Sequence, residues 1–80
     1  MFRKTKSPKN IREKSRRTLA TNLIQYRKSK NISREELAFR CDMSTRQIEN
    51  IELGKCAVSI DTLDKISNGT QLNVTFLLQD

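Results

Sequence analysis

Histidine is absent from this chain of 80 residues, which removes the commonest general acid or base of enzymes. Imidazole-dependent triads and facial metal sites are excluded with it. The two cysteines, Cys41 and Cys56, are too few for a disulfide scaffold. Without histidine they cannot form an ordinary four-ligand zinc site, so both are read as reduced thiols. No apolar run approaches the roughly 18 residues of a spanning helix, and the opening MFRKTKSPKN lacks the continuous apolar region of a secretory signal. A cytoplasmic location with no membrane partner is expected. The carboxylates are interleaved with lysines and form no evident pair, so neither an enzyme nor a metal or cofactor is expected.

What is present is charge and a modest core. Hydrophobic residues make up 35% and charged residues 31% of the chain, a composition suited to one small globular domain. The net charge of +7 is unevenly placed: residues 1–17 hold eight basic residues against Glu13 alone, whereas residues 18–80 hold eight of each sign. A basic arm therefore precedes a neutral body. With only Met1, Phe2 and Ile11 as apolar residues, and with Pro8 interrupting an early helix, the arm cannot bury enough surface to offset its ordering entropy. Residues 1–14 are expected to be flexible when free, leaving residues 15–80 as the folded domain. Lysines and arginines on a polyanion release condensed counterions, so nucleic acid is one partner for the arm. A solubilising tail and a membrane-surface segment are the alternatives.

Beyond Arg17 the apolar positions follow helical spacing, with no strict alternation that would argue for strands. Leu19, Leu23 and Tyr26 predict a first helix over 16–29, with Arg27, Lys28 and Lys30 at its end and Asn31 closing it in the left-handed conformation. Ser33 and Glu36 have capping-box spacing with Ile32 as staple, and open a second helix with Leu37, Ala38 and Cys41 as its contacts. Ser44 and Gln47 repeat the box for a third helix, with Ile48 and Ile51 inward and Gly54 at its end. Ser59 caps a fourth, whose face is Ile60, Leu63 and Ile66 and whose end is Asn68 and Gly69. Asn73 caps a short fifth, with Leu77 and Leu78 inward.

The stretch SREELAFRCDMSTRQIENIELGK, residues 33–55, resembles the helix-turn-helix of the phage repressor, Cro and Xre-like family. The likeness rests on Ser33, Leu37 and Ala38, on Met43 in the turn, on Ile48 and Ile51, and on Glu52-Leu53-Gly54-Lys55. It extends through Ser59 to Leu63 and through Lys65 and Ile66. The resemblance implies an all-α, compact five-helix fold like that of lambda repressor, with Ala38 small because the second and third helices cross there.

The resemblance also implies that the third helix lies in a DNA major groove. Thr45, Arg46, Gln47, Glu49 and Asn50 would then face base edges, and their chemistry agrees: arginine suits guanine, asparagine and glutamine suit adenine, and the threonine methyl meets thymine. Arg34, Ser44 and Lys55 are candidates for phosphate contacts, with Arg3, Lys4, Lys6 and Lys9 of the arm. The plainer alternatives are that Ser44 only caps, that Glu49 pairs with Arg46, and that Lys55 is a solvated loop lysine.

Three departures from the family pattern stand out. Asp42 occupies the usual turn glycine, which costs about 1 kcal/mol of strain. Arg34 stands where a glutamine usually follows the serine. Cys41 replaces a leucine and is read as a small buried hydrophobe, with redox sensing as the alternative.

An outward Phe76 is expected to form a homodimer interface that sets two reading helices about 34 Å apart. The expected function is a transcriptional regulator, a repressor on a palindromic double-stranded DNA operator, with no small-molecule ligand implied. An antitoxin or a restriction-modification controller on the same scaffold, and a protein-interaction module, are the alternatives.

Overall fold

The apolar residues that recur at helical spacing close into one core: Leu19, Leu23, Leu37, Ala38, Cys41, Ile48, Ile51, Ile66 and Leu77. The computed structural model describes residues 8–79, with side chains from residue 13 onward. Its elements are α1 (Pro8–Lys30), α2 (Arg34–Arg40), α3 (Thr45–Glu52), α4 (Ile60–Thr70) and α5 (Val74–Leu77). No strand occurs among the described residues. α3 packs against both α1 and α2, α4 backs α2, and α5 fills the space between α1 and α4. The all-α, five-helix arrangement is the expected one.

The helix starts follow serine and asparagine chemistry. Ser33, Ser44, Ser59 and Asn73 each sit in extended conformation and accept the N–H of the residue three places on, satisfying a donor that has no partner within the helix. The ends of α1, α2 and α3 share one device. Asn31, Asp42 and Gly54 adopt positive φ of 57°, 56° and 70°, and the residue after each donates back five places, Ile32 to Arg27, Met43 to Ala38 and Lys55 to Asn50, at 2.9–3.1 Å. Left-handed closure by Asn31 matches the expectation, and Asp42 accepts the strained conformation that the family gives to glycine. Asn22 ties α5 down: its amide Nδ2 donates to the carbonyls of Phe76, Leu77 and Gln79 at 3.2, 2.9 and 3.0 Å.

Several local expectations are corrected. α1 begins at Pro8, not at residue 16, so the helix extends through residues 8–14 of the arm. Proline is tolerated in the first turn, where its missing N–H would have no intrahelical acceptor, and lysine and arginine are good helix formers. Residues 1–7, with Arg3, Lys4 and Lys6, lie outside the described residues, as does the side chain of Lys9. The Ser33 box is half made: Ser33 Oγ accepts from Glu36 N at 3.0 Å, while the Glu36 carboxylate takes Arg40 Nε at 3.0 Å. Ile60, expected inward, is 76% exposed. It lies about 120° around the helix from the buried Ile66, at roughly 100° per residue. Leu78 follows the last helical residue and sits at the rim, whereas Leu77 is buried.

α4 also outlasts its expected end. Gly69 remains helical, and Gln71 makes the turn with φ 64°. Thr70 Oγ1 donates to Ile66 O at 2.7 Å and accepts from Leu72 N at 3.2 Å, which satisfies the buried hydroxyl. Gly69 is needed for close approach rather than for a turn: a Cβ there would stand 2.6 Å from both the Arg40 carbonyl oxygen and Cys41 Sγ. Gly69→Ala is therefore expected to destabilise the fold. Overpacking costs about 1–3 kcal/mol, which exceeds the gain of about 1 kcal/mol in helix propensity. Urea unfolding should show a lowered midpoint.

Candidate nucleic-acid interface

α2 and α3 meet through a turn of four residues, 41–44, whose backbone is pinned at both ends. The Met43 N to Ala38 O bond of 2.9 Å closes α2. A complete capping box opens α3: Ser44 Oγ accepts from Gln47 N at 3.1 Å, and Gln47 Oε1 accepts from Ser44 N at 2.9 Å. Ala38, Ile48 and Ile51 are buried beneath it. The first turn of α3 is thus presented outward from a packed base.

On this base the sequence-derived candidates separate by environment. Thr45, Arg46, Gln47 and Glu49 are exposed and Asn50 is half-buried. Arg46 has no ion pair or side-chain hydrogen bond among the described residues, so the alternative that Glu49 neutralises it does not hold here. Glu49 instead adds its negative field to the Arg34 guanidinium. Gln47 differs from its neighbours: Oε1 is committed to the cap, which leaves the Nε2 donors. Ser44 caps α3 by accepting from Gln47 N. Lys55 is exposed at the point where α3 closes.

One feature of the site escaped sequence reasoning. The side chain of Glu52, the last residue of α3, has no solvent exposure. Arg27 of α1 grips its carboxylate with Nε at 2.8 Å and Nη2 at 3.1 Å, and Arg34 of α2 adds Nε at 2.8 Å. Burial pushes this carboxyl up, but the hydrogen bonds and charges of Arg27 and Arg34 outweigh it and hold the group below the usual glutamate range. The same contact raises the Arg34 guanidinium, chiefly through its hydrogen bond to Glu52. Arg34 keeps 42% of its side chain exposed, and only its Nε is spent on Glu52. A signal for the cluster exists in the sequence. Arg27 stands four residues after Leu23 and Glu52 four after Ile48, each continuing an apolar stripe with a charge.

Cys41 is buried, and burial pushes its thiol up against the opposing charge of Arg40, the condition of an inert thiol. Among the described residues no helix is long and apolar enough to cross a membrane, and no group of three or more metal-ligating side chains is assembled.

Comparison with known proteins agrees with this geometry. Residues 23–77 match the family model described as helix-turn-helix. Over 44 residues the chain is 50% identical to control protein C.BamHI of Bacillus amyloliquefaciens, a match covering 54% of this chain and 54% of that relative. No solved structure matches.

The Glu52 cluster makes a stability prediction with a definite sign. Because folding lowers the carboxyl pKa, its contribution is complete above the ordinary glutamate range, about pH 4.3, and is lost as pH falls through the lower folded value. Glu52→Gln leaves Arg27 without a buried counter-charge and should cost about 3 kcal/mol at pH 7 in urea unfolding. It should also flatten the acid limb of stability against pH.

Proposed function

Starting from the premise that the chain belongs to the helix-turn-helix family, we propose that it is a DNA-binding transcriptional regulator, a repressor that binds a palindromic operator as a homodimer. The observation that carries this reading is the first turn of α3: a fully capped helix start that holds an unpartnered Arg46 outward beside Thr45 and Asn50. A helix presented in this way fits a major groove, with its N-terminal side chains at base edges. Arg46 reads guanine through O6 and N7, Asn50 reads adenine, and the Thr45 methyl meets thymine. Glu49 is suited to accept from cytosine N4. Gln47 contributes through Nε2 alone, since a bidentate amide–adenine pair would require it to release the cap.

Phosphate contacts flank this set. Arg34 presents its remaining Nη donors, Ser44 offers its hydroxyl, and Lys55 supplies a cation where α3 ends. The arm, with Arg3, Lys4, Lys6 and Lys9, adds sequence-independent attraction. For the homodimer, Phe76 is 49% exposed on α5, and its backbone carbonyl is held by Asn22. A two-fold contact there would set the paired α3 helices about one helical turn of DNA apart, roughly 34 Å.

Similarity to a protein named a control protein favours a controller, regulating restriction-modification genes, over an antitoxin. The genes adjacent to this one separate the two.

Selection of duplexes from a random pool at near-physiological ionic strength tests the reading, and a palindromic consensus is the expected outcome. No enrichment, together with salt-resistant association with a protein, would instead identify an interaction module. Arg46→Ala should cost about 1–3 kcal/mol on the enriched duplex and little on a scrambled one. Equal losses on both would make Arg46 a phosphate contact. Phe76→Ser should shift the chain toward monomer in sedimentation equilibrium while leaving the thermal midpoint nearly unchanged. A wild-type chain that stays monomeric at micromolar concentration, with and without DNA, would remove the dimer.

A further inference from the structure

Six arginines have described side chains, and they fall into two groups. Arg27 and Arg34 share Glu52, and Arg40 bonds Glu36. Arg16, Arg17 and Arg46 have no carboxylate partner among the described residues. The unpaired charge of Arg46 is accounted for by the reading helix, whereas nothing so far uses Arg16 and Arg17. Both lie on α1 just ahead of the buried Leu19, with Arg17 exposed and Arg16 half-buried.

The position of Arg16 links it to the α3 side of the molecule. It lines a groove of about 230 Å³ with Leu19, Ala57, Val58, Leu63 and Leu78. Its aliphatic stem can cover this apolar floor while the guanidinium reaches solvent. Ala57 and Val58 belong to the loop that leaves α3 at Lys55. The middle of α1, at Arg16, and the exit loop of α3 therefore line one groove, and among the described residues no carboxylate pairs with Arg16 or Arg17. Toward the N-terminus of the same helix the sequence adds Lys9, Arg12 and Lys14 against the single Glu13.

We propose that Arg16 and Arg17 form a second phosphate-binding patch, carried on a preformed helix, that grips the duplex backbone beside the 55–58 loop. The proposal rests on the DNA-binding reading above and adds contacts which that reading does not contain. A loop following a helix in the major groove meets the sugar-phosphate strand, and such contacts fix register without reading sequence. Because α1 is already helical from Pro8, these cations reach the phosphates without the ordering cost that a disordered arm would carry on binding.

The test uses the full chain with Arg16→Gln and Arg17→Gln together, and with Arg17→Gln alone. Fluorescence anisotropy is measured between 50 and 200 mM salt on the selected duplex and on a scrambled one. The double variant should bind both duplexes about tenfold more weakly near 0.1 M salt, with an unchanged ratio between them. Its plot of log affinity against log salt should be shallower by about two per protomer, since each lost phosphate contact removes roughly 0.9. Arg17→Gln alone, at an exposed position that leaves the core intact, should give about half that change at an unaltered thermal midpoint.

A salt slope equal to wild type in both variants overturns the proposal. So does a selective loss on the preferred duplex, which would make these residues base readers. Binding of an acidic protein through this patch, with DNA affinity unaltered, overturns it as well. If the wild-type chain binds no duplex, the underlying reading fails too; wild-type binding with unaltered variants sinks the patch alone.

Discussion

The buried carboxylate of Glu52 is the contact through which three helices set one another's positions. An ionised group removed from water is tolerated only when it is paired and hydrogen-bonded, and Glu52 meets that condition through both Arg27 and Arg34. Arg27 comes from the end of α1, Arg34 from the start of α2, and Glu52 from the end of α3. Apolar packing alone would let α3 slide or rotate at small cost among similar side chains, whereas the directional bonds of a planar guanidinium allow little such play. Arg27 Nη1 also donates to Ile32 O at 3.4 Å, so the same cluster holds the turn between α1 and α2. Arg34 is fixed by Glu52 through Nε while 42% of its side chain stays exposed, so any anion it meets finds an oriented guanidinium.

This cluster also bears on how charge is distributed over the molecule. Residues 18–80 carry equal numbers of each sign, and the structure joins several of those charges in pairs. Arg27, Arg34 and Arg40 are joined to Glu52 and Glu36, whereas Arg46 is left unpaired at the exposed turn of α3. These pairs use three arginines against two glutamates, so they give the body no net positive charge. What they leave is a single guanidinium, Arg46, without a carboxylate partner among the described residues, at the surface proposed to meet DNA.

Sequence reasoning recovered the elements whose signals are local. Serine or asparagine at the start of α2, α3, α4 and α5, and Asn31 at the end of α1, mark boundaries that backbone hydrogen bonding then realises. The exposed face of α3 was legible too, because Ile48 and Ile51 define its opposite. What depended on through-space neighbours was not. The side-chain halves of the Ser33 and Ser44 boxes look alike in sequence, but only Gln47 completes its box, since Arg40 stands one turn beyond Glu36 and captures it. Asn68-Gly69 reads as a helix stop, yet Gly69 is small for the sake of Arg40 and Cys41 at the end of α2. Pro8 reads as an interruption, although in the first turn of a helix it costs nothing. Arg27 and Glu52 are 25 residues apart, and only the closed fold reveals why each continues an apolar stripe.

The contact between Gly69 and Cys41 has a consequence for the chemistry of the two thiols. Cys41 Sγ faces a helix backbone at a distance that leaves no room for an added atom, and the residue is 1% exposed, whereas Cys56 is half-buried on the loop after α3. An alkylating reagent added to the folded protein therefore modifies Cys56 first and reaches Cys41 only when α4 lifts from α2. The rate at which the second label is taken up becomes an internal clock for that opening.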